Sequence, residues 1–152
     1  MAHYAVHSPF ETDERFISHY TDPNKSQQAR AFATLIEGMD KSLGDILDKL
    51  EDMGIAENTL IIFLGDNGGD APLGDAADYG SSAPFKGKKG SEYEGGVRVP
   101  FIVSWAHPNP NNKFQKAYPI AQNAIQTQMG TVMDIYPTVL LLRVSNLLPT
   151  IS

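Results

Sequence analysis

Residues 60–69 read Leu-Ile-Ile-Phe-Leu-Gly-Asp-Asn-Gly-Gly, and residues 86–100 read Lys-Gly-Lys-Lys-Gly-Ser-Glu-Tyr-Glu-Gly-Gly-Val-Arg-Val-Pro. The apolar run Leu60–Leu64 predicts a buried strand that ends at an acid–amide pair. A continuous apolar run is typical of a strand covered on both faces, as in a parallel sheet with flanking helices. We therefore predict an α/β fold with a mostly parallel sheet, in which ligands bind beyond the carboxyl ends of the strands.

A long amphipathic helix is predicted before this strand. Asp22-Pro23 is a helix-start signal, with Asp22 as the N-cap, and Gly54 predicts the helix end. Apolar residues repeat at intervals of four and three and predict a stripe that packs in the core: Phe32, Ile36, Met39, Leu43, Ile46, Leu50 and Met53.

The sequence after this strand predicts a loop, a second strand and a short helix. Residues 65–100 hold nine of the 13 glycines, and a loop of this length is usually functional or disordered. Residues 101–105 predict the next strand, and residues 106–128, rich in Asn, Pro and Gln, predict a surface excursion. Thr131 is a candidate cap for a final helix, which tolerates Pro137 only in its first turn.

The composition excludes several kinds of site and partner. The chain has 152 residues, 41% of them apolar, which is enough for one globular domain with a core. The net charge of −6 argues against nucleic-acid binding, and no apolar run approaches the length of a membrane span. Because the chain has no cysteine, it contains no disulfide, thiolate metal site or cysteine nucleophile.

Asp66 and Asn67 are candidate metal ligands. A carboxylate and an amide oxygen at the end of a strand suit a hard cation such as Ca²⁺ or Mg²⁺. Asp-Asn-Gly-Gly is also ordinary tight-turn chemistry, and these four residues alone favour the turn over a metal site.

Lys86, Lys88 and Lys89 are candidate ligands for an anion such as sulfate or phosphate. His7, at the end of a short apolar segment, is a candidate proton donor near neutral pH. Taken one at a time, a solvated charge cluster and a surface histidine are the simpler interpretations. Glu94, Arg98 and Asp134 are also candidate catalytic residues, but the simpler interpretation is that they form structural ion pairs and hydrogen bonds around the loop.

Four segments together resemble the sulfatase family of the alkaline-phosphatase-like superfamily. Residues 89–100 resemble the family's second signature, which has a Tyr-Glu-Gly-Gly-x-Arg core, and residues 64–68 resemble its metal-binding strand end. Residues 6–9 resemble its active-site histidine segment, and residues 134–138 a helix near the end of its catalytic domain. The segments occur in the family's order, and the resemblance implies a partial alkaline-phosphatase-like sandwich.

The resemblance also implies roles for individual residues. Asp66 and Asn67 would bind calcium, or alternatively Mg²⁺. Lys89 would hold a sulfate oxygen, and His7 would contact the substrate and assist departure of its oxygen. Counting back from the Glu-Gly-Gly core places the family lysine on Lys89, while Lys88 fills a position that is often glycine and stays an alternative.

The nucleophile of the family is missing from this chain. Sulfatases use a formylglycine made from Cys or Ser in Cys/Ser-x-Pro-x-Arg, whereas the one comparable segment here, residues 82–86, ends in lysine. The early paired aspartates of the metal shell are missing too. We therefore expect residues 1–152 to be the C-terminal portion of a sulfatase catalytic domain, whose partner is the missing N-terminal part of the same domain.

The function implied by the resemblance is hydrolysis of a sulfate ester, with a sulfated small molecule or glycan as substrate. The chain alone is expected to be inactive, and its compartment is left open, although family members are commonly exported. Two alternatives remain at this stage. One is a phosphoesterase or phosphonate hydrolase of the same superfamily, and the other is a non-catalytic fragment or binding module.

Overall fold

The structure is a computed structural model that describes residues 1–70 and 80–145. The chain divides into two compact units, Met1–Ile120 and a second unit that begins at Ala121. Residues 71–79 of the predicted functional loop lie outside the described residues. Short 3-10 turns of the described residues cover Ile17–His19, Ala56–Asn58 and Val132–Asp134.

Helix α1, Gln27–Asp52, begins four residues later than the sequence predicts. Ser26 is its N-cap, and the Ser26 Oγ accepts a hydrogen bond from the Ala29 N–H at 3.0 Å. Asp22 instead closes a local turn, in which its Oδ1 accepts from the Asn24 N–H at 2.9 Å. The prediction of Asp22 as the N-cap is therefore wrong, because that side chain is used within the turn.

The predicted apolar stripe of α1 is only partly buried. The buried residues of the helix are Ala29, Ala31 and Thr34, which are small and permit close approach in its first half. Ile36 and Met53 are exposed, and the other five stripe residues are half-buried. The stripe is therefore not the centre of a core within the described part of the chain. Helix α1 ends near Gly54 as predicted, with φ at +67°.

The described residues form one sheet, with two antiparallel strands. Strand β1 is Leu60–Leu64 and strand β2 is Phe101–Trp105, as predicted, and Leu60 lies opposite Trp105. The prediction of a mostly parallel sheet is wrong for these strands. An apolar run indicates cover on both faces but not the direction of the neighbouring strand. That direction depends on how the intervening chain returns, and the described part of that chain contains only the short helix Glu94–Val97.

Two short helices flank β2 in the sequence, one before it and one after it. Helix α2, Glu94–Val97, ends the glycine-rich loop. Helix α3, Lys113–Ala117, lies within the predicted surface excursion, so that segment is more ordered than its composition indicates. The buried Gln115 donates from Nε2 to the carbonyl oxygens of Glu57 at 2.7 Å and His107 at 2.9 Å. These bonds tie α3 to one end of the strand pair, where β1 begins and β2 ends.

The second unit contains the capped helix that the sequence predicts. Thr131 and Asp134 form a capping box, in which the Asp134 Oδ2 accepts from the Thr131 N–H at 2.7 Å. Helix α4, Ile135–Ser145, follows directly, and Pro137 lies in its first turn. Asp134 therefore has the structural role that was predicted for it. Within the described ranges, no helix combines the length and the apolar character that crossing a membrane requires.

Candidate functional site

The strand-end loop, residues 65–70, carries the two candidate metal ligands. Asp66 is exposed and Asn67 is half-buried. The Asn67 Nδ2 donates to the carbonyl oxygen of Gly68 at 2.8 Å. Because the amide nitrogen is used in this way, the Asn67 Oδ1 is the atom left to act as a ligand. The loop therefore offers one carboxylate and one amide oxygen from adjacent residues.

Backbone hydrogen bonds join this loop to the lysine loop, residues 86–93. The Lys89 N–H donates to the Gly69 carbonyl oxygen at 2.9 Å, and the Gly68 N–H donates to the Gly96 carbonyl oxygen at 2.9 Å. The Gly65 N–H donates to the carbonyl oxygen of Pro100, the residue before β2, at 3.2 Å. The structure thus brings the segments of Asp66, Asn67 and Lys89 together, although they are far apart in the sequence.

Glycines make this close approach possible. A Cβ at Gly68 would lie 2.8 Å from the carbonyl carbons of Gly95 and Gly96. A Cβ at Gly96 would lie 2.7 Å from the carbonyl oxygen of Lys88. Such separations are shorter than van der Waals contact, so side chains at these positions would push the two loops apart. The glycines of the Tyr-Glu-Gly-Gly segment therefore serve to join the loops.

The three lysines of the loop have different surroundings. The Lys86 Nζ lies 4.0 Å from the centroid of the Tyr93 ring, a cation–π contact. The Lys88 Nζ lies 3.7 Å from the Asp70 Oδ1, so its charge is partly neutralised. Among the described residues, no acidic group lies within ion-pair distance of the Lys89 ammonium. Lys88 and Lys89 therefore differ in their acidic neighbours within the described part of the chain.

Glu94 and Arg98 form the structural pair that the sequence predicts. The Arg98 Nη1 donates to the Glu94 Oε2 at 2.9 Å, one turn apart. The Arg98 guanidinium also lies 4.6 Å from the centroid of the Phe85 ring. Both side chains are exposed, so this pair within one helical turn adds little stability.

His7 lies on a strained turn near the start of the chain. The His7 N–H donates to the Tyr4 carbonyl oxygen at 3.2 Å, and Val6 between them has a φ of +64°. This conformation is costly for a β-branched residue, and such strain is often found near functional groups. The His7 Nδ1 lies 2.7 Å from the Ser8 carbonyl oxygen and must donate to it. In the neutral ring the lone pair is therefore on Nε2, which suits proton transfer.

A cavity of about 350 Å³ lies beside His7. It is lined by Tyr4, Ala5, His7, Pro9, Glu11 and Leu35. None of these described lining residues belongs to the strand-end loop or the lysine loop, and within the described ranges no hydrogen bond or ion pair connects His7 with either loop. Tyr4 and Glu11 lie beside His7 around this cavity, a relation that the spacing of these residues in the sequence does not indicate.

The oxygen ligands of the strand-end loop are of the type that a hard cation binds, but there are too few of them to complete a site. Oxygen ligands of the Asp66 and Asn67 type are those that Ca²⁺ and Mg²⁺ prefer, and Ca²⁺ usually takes six to eight. Over residues 1–70 and 80–145, no group of three or more His, Cys, Asp or Glu residues is placed to hold a metal ion. Further ligands would have to come from elsewhere in a complete site.

Comparison with known proteins gives a consistent match. The family model described as Sulfatase matches residues 1–142. The chain is 35% identical over 128 residues to a sulfatase of Formosa agariphila, covering 77% of this chain and 19% of that protein. It is 30% identical over 138 residues to N-acetylgalactosamine-6-sulfatase of Homo sapiens, covering 91% of this chain and 23% of that protein. Steryl-sulfatase of Mus musculus is 30% identical over 128 residues, covering 80% of this chain and 19% of that protein.

The fold is also similar to a solved structure, that of Ps i-CgsB. Its crystal structure has a TM-score of 0.59 and 30% sequence identity, covering 68% of this chain and 22% of that one. A crystal structure of the same protein with k-i-k-neocarrahexaose has a TM-score of 0.57, covering 66% of this chain and 21% of that one. This chain therefore spans about a fifth of the length of the relatives it matches.

Proposed function

Because the chain belongs to the sulfatase family, we propose that it forms part of an enzyme that hydrolyses a sulfate ester. The observation that carries the proposal is the hydrogen-bonded junction of the strand-end loop and the lysine loop. Through it, two oxygen ligands for a cation and a lysine without an acidic partner among the described residues lie on neighbouring segments. A divalent cation and an ammonium group are the charges that a sulfate ester needs as negative charge develops on its oxygens.

The proposed cation is Ca²⁺, with Mg²⁺ as the alternative. Asp66 supplies one charged oxygen and Asn67 one neutral oxygen, and carboxylates from another part of the protein complete the shell. A bound cation would neutralise charge on the sulfuryl oxygens. Zn²⁺ is disfavoured, because the set offers no imidazole or thiolate.

Lys89 and His7 are proposed to act on the substrate. Lys89 binds a sulfuryl oxygen through its ammonium group. Protonated His7 gives the proton on Nε2 to the ester oxygen as the bond between that oxygen and sulfur breaks. The electron pair of the broken bond stays on the oxygen, and the alcohol leaves neutral. The hydrogen bond between Nδ1 and the Ser8 carbonyl oxygen keeps Nε2 as the transferring atom.

The nucleophile has to come from outside these 152 residues. A formylglycine, made from a Cys/Ser-x-Pro-x-Arg segment, would supply the attacking oxygen. Ser82 is not the source of the formylglycine, because Lys86 occupies the position of the arginine in the motif. The Ser82 Oγ instead donates to the Gly95 carbonyl oxygen at 3.1 Å in the loop junction. The partner of this chain is accordingly the part of a sulfatase catalytic domain that carries the nucleophile. The proposed substrate is a sulfated small molecule or glycan.

The test uses a hybrid enzyme. Residues 1–142 replace the matching segment of the Formosa agariphila sulfatase, and turnover of an aryl sulfate and an aryl phosphate is measured. Asp66→Ala and Lys89→Ala should each lower kcat/KM for the sulfate by at least about 100-fold, as expected for loss of charge stabilisation. Lys116→Ala, an exposed lysine on α3, is the matched control and should retain activity.

Three results would contradict the proposal. Faster turnover of the phosphate than of the sulfate would favour the phosphoesterase alternative. A hybrid that has the circular dichroism of a folded protein but no turnover would favour a non-catalytic module. Full activity in Asp66→Ala would show that the strand-end loop is not the metal site.

A further inference from the structure

The Asn67-Gly68 pair combines a reactive sequence with a protected position. It is the only Asn-Gly pair in the chain. Asparagine is a thermolabile residue, because the backbone nitrogen of the following residue can attack the carbonyl carbon of its side chain. Glycine at the following position favours this attack, since it has no Cβ to hinder the nitrogen and adopts unusual backbone conformations readily. By sequence alone, Asn67 is therefore the most reactive asparagine of the chain.

The loop junction occupies the nitrogen that would attack. The Gly68 N–H donates to the Gly96 carbonyl oxygen at 2.9 Å, and Gly68 is buried. The Asn67 Nδ2 donates to the Gly68 carbonyl oxygen at 2.8 Å, so the side-chain amide is held by a second hydrogen bond. Attack requires the Gly68 nitrogen to lose its proton and the Asn67 side chain to turn over that nitrogen. Both hydrogen bonds must therefore break before the reaction can begin.

The segment around this pair can open without unfolding of the helices. Asp66, Gly69 and Asp70 are exposed, so the residues on both sides of the pair are accessible to water. The next contact along the chain is a backbone hydrogen bond, from the Lys89 N–H to the Gly69 carbonyl oxygen at 2.9 Å. Loops joined mainly by hydrogen bonds, with little buried apolar surface, open at a lower free energy than packed helices and strands. Local opening is accordingly the accessible route to the reactive conformation.

We propose that Asn67 is a site of spontaneous deamidation and that opening of the loop junction controls its rate. In the open state the Gly68 nitrogen loses its proton and attacks the Asn67 Cγ, which forms a succinimide ring. The bond between Cγ and Nδ2 breaks, and Nδ2 takes up a proton and leaves as ammonia. Water then opens the ring at either of its carbonyl groups, giving aspartate or isoaspartate. This proposal does not rest on sulfatase activity.

Both products keep the junction from closing as before. Isoaspartate places the former side-chain carbons in the main chain and lengthens it, so the Gly68 N–H moves out of register with the Gly96 carbonyl oxygen. Aspartate leaves the main chain unchanged but adds a negative charge next to Asp66, and neighbouring like charges repel. Opening of the junction is reversible before the reaction and becomes permanent after it. Modified chains therefore accumulate with the age of the protein.

The test measures conversion of Asn67 in the purified 152-residue chain. Mass spectrometry of proteolytic peptides gives the extent of deamidation, and enzymatic methylation detects isoaspartate. A synthetic peptide of residues 62–70 is the reference for the open state. The folded chain should convert Asn67 at least about tenfold more slowly than the peptide, because its junction has to open first. Equal rates would overturn the proposal, as would an intact Asn67 after prolonged incubation in urea too dilute to unfold the chain.

Two glycine variants separate opening of the junction from global unfolding. Gly96→Ala should speed conversion about tenfold, because its Cβ would lie 2.7 Å from the Lys88 carbonyl oxygen and push the loops apart. Gly44→Ala is the matched control, because a Cβ there meets no other atom within 4 Å and stabilises α1 without touching the junction. Its conversion rate should equal that of the wild type. A slower rate in Gly44→Ala, or an unchanged rate in Gly96→Ala, would overturn the proposal.

Hydrogen exchange provides a test that does not depend on the folding of Gly96→Ala. In the wild-type chain, the Gly68 amide exchanges only when its bond to Gly96 breaks. Dilute urea should therefore raise the exchange rate of this amide and the conversion rate of Asn67 by the same factor. Faster exchange without faster conversion would overturn the proposal. Asn67→Gln is the blank, because its longer side chain closes the ring much more slowly, and isoaspartate that persists in this variant would assign the signal to Asp66 instead.

Discussion

At the residue scale, glycines decide whether the two halves of the candidate site can meet. The Gly68 N–H donates to the Gly96 carbonyl oxygen at 2.9 Å. A Cβ at Gly68 would lie 2.8 Å from the carbonyl carbon of Gly96, and a Cβ at Gly96 would lie 2.7 Å from the carbonyl oxygen of Lys88. Gly44, by contrast, lies within α1, where a Cβ would meet no other atom within 4 Å. Glycine therefore has a steric role at the loop junction and none at Gly44, which the sequence alone does not distinguish.

Substitution of these glycines should have opposite effects on stability. Gly96→Ala should destabilise the chain by about 1–3 kcal/mol, the usual cost of overpacking, because its Cβ meets the Lys88 carbonyl oxygen. Gly44→Ala should stabilise it by about 1 kcal/mol through helix propensity. Urea unfolding of both variants measures the difference. Equal free energies of unfolding in Gly96→Ala and wild type would show that the loops are not joined as described.

At the element scale, polar contacts fix how the end of α1 meets the exit of β2. The His107 Nδ1 lies 2.5 Å from the Glu51 Oε1. The hydrogen bond to Glu51 is the largest cause that raises the pKa of His107, followed by the charge of Glu51, with Glu57 adding to it. Both side chains of the pair are about half exposed, so the contact is a modest, pH-dependent link between elements.

The pH dependence of this link has a definite sign. The folded-state pKa of His107 is raised, so its contribution to stability is full below the ordinary histidine pKa of about 6.5. That contribution is lost as pH rises through the raised pKa. Melting temperatures of wild type and His107→Gln should therefore differ more at pH 6 than at pH 8. His3→Gln, at an exposed histidine, is the control, and a constant difference for His107→Gln would contradict the prediction.

At the scale of the whole molecule, the described residues bury little apolar surface. The buried apolar residues are Phe16, Ala29, Ala31, Ala56 and Trp105. Ile102 in β2 is 58% exposed, and Met129 in the second unit is 91% exposed. Because the relatives are several times longer, these surfaces and the incomplete donor set are consistent with the proposed partner segment.

The isolated chain should neither turn over an aryl sulfate nor bind Ca²⁺ tightly. It lacks the nucleophile, and Asp66 with Asn67 cannot replace most of the hydration shell of the ion. Calorimetric titration with Ca²⁺ should give weak uptake that Asp66→Ala barely changes. Tight binding that disappears in Asp66→Ala would show that further ligands lie within these residues. Turnover of an aryl sulfate by the purified chain would contradict the proposal that the nucleophile lies in another part of the protein.

The sequence by itself determined the features that depend on neighbouring residues. The apolar runs located β1 and β2, the capping signal located the start of the final helix, and the Tyr-Glu-Gly-Gly segment identified the family. The alkaline-phosphatase-like fold class is confirmed through that family. Each of these signals is local, because a strand run or a helix cap depends on residues a few positions apart.

Only the tertiary structure decided the features that depend on distant residues. It made the strands antiparallel, moved the helix start from Asp22 to Ser26 and left much of the apolar stripe half-buried. It also joined the strand-end loop to Lys89 and surrounded the cavity beside His7 with Tyr4 and Glu11. Strand direction, burial and loop contact all depend on how the chain returns on itself, and residue periodicity does not encode that return.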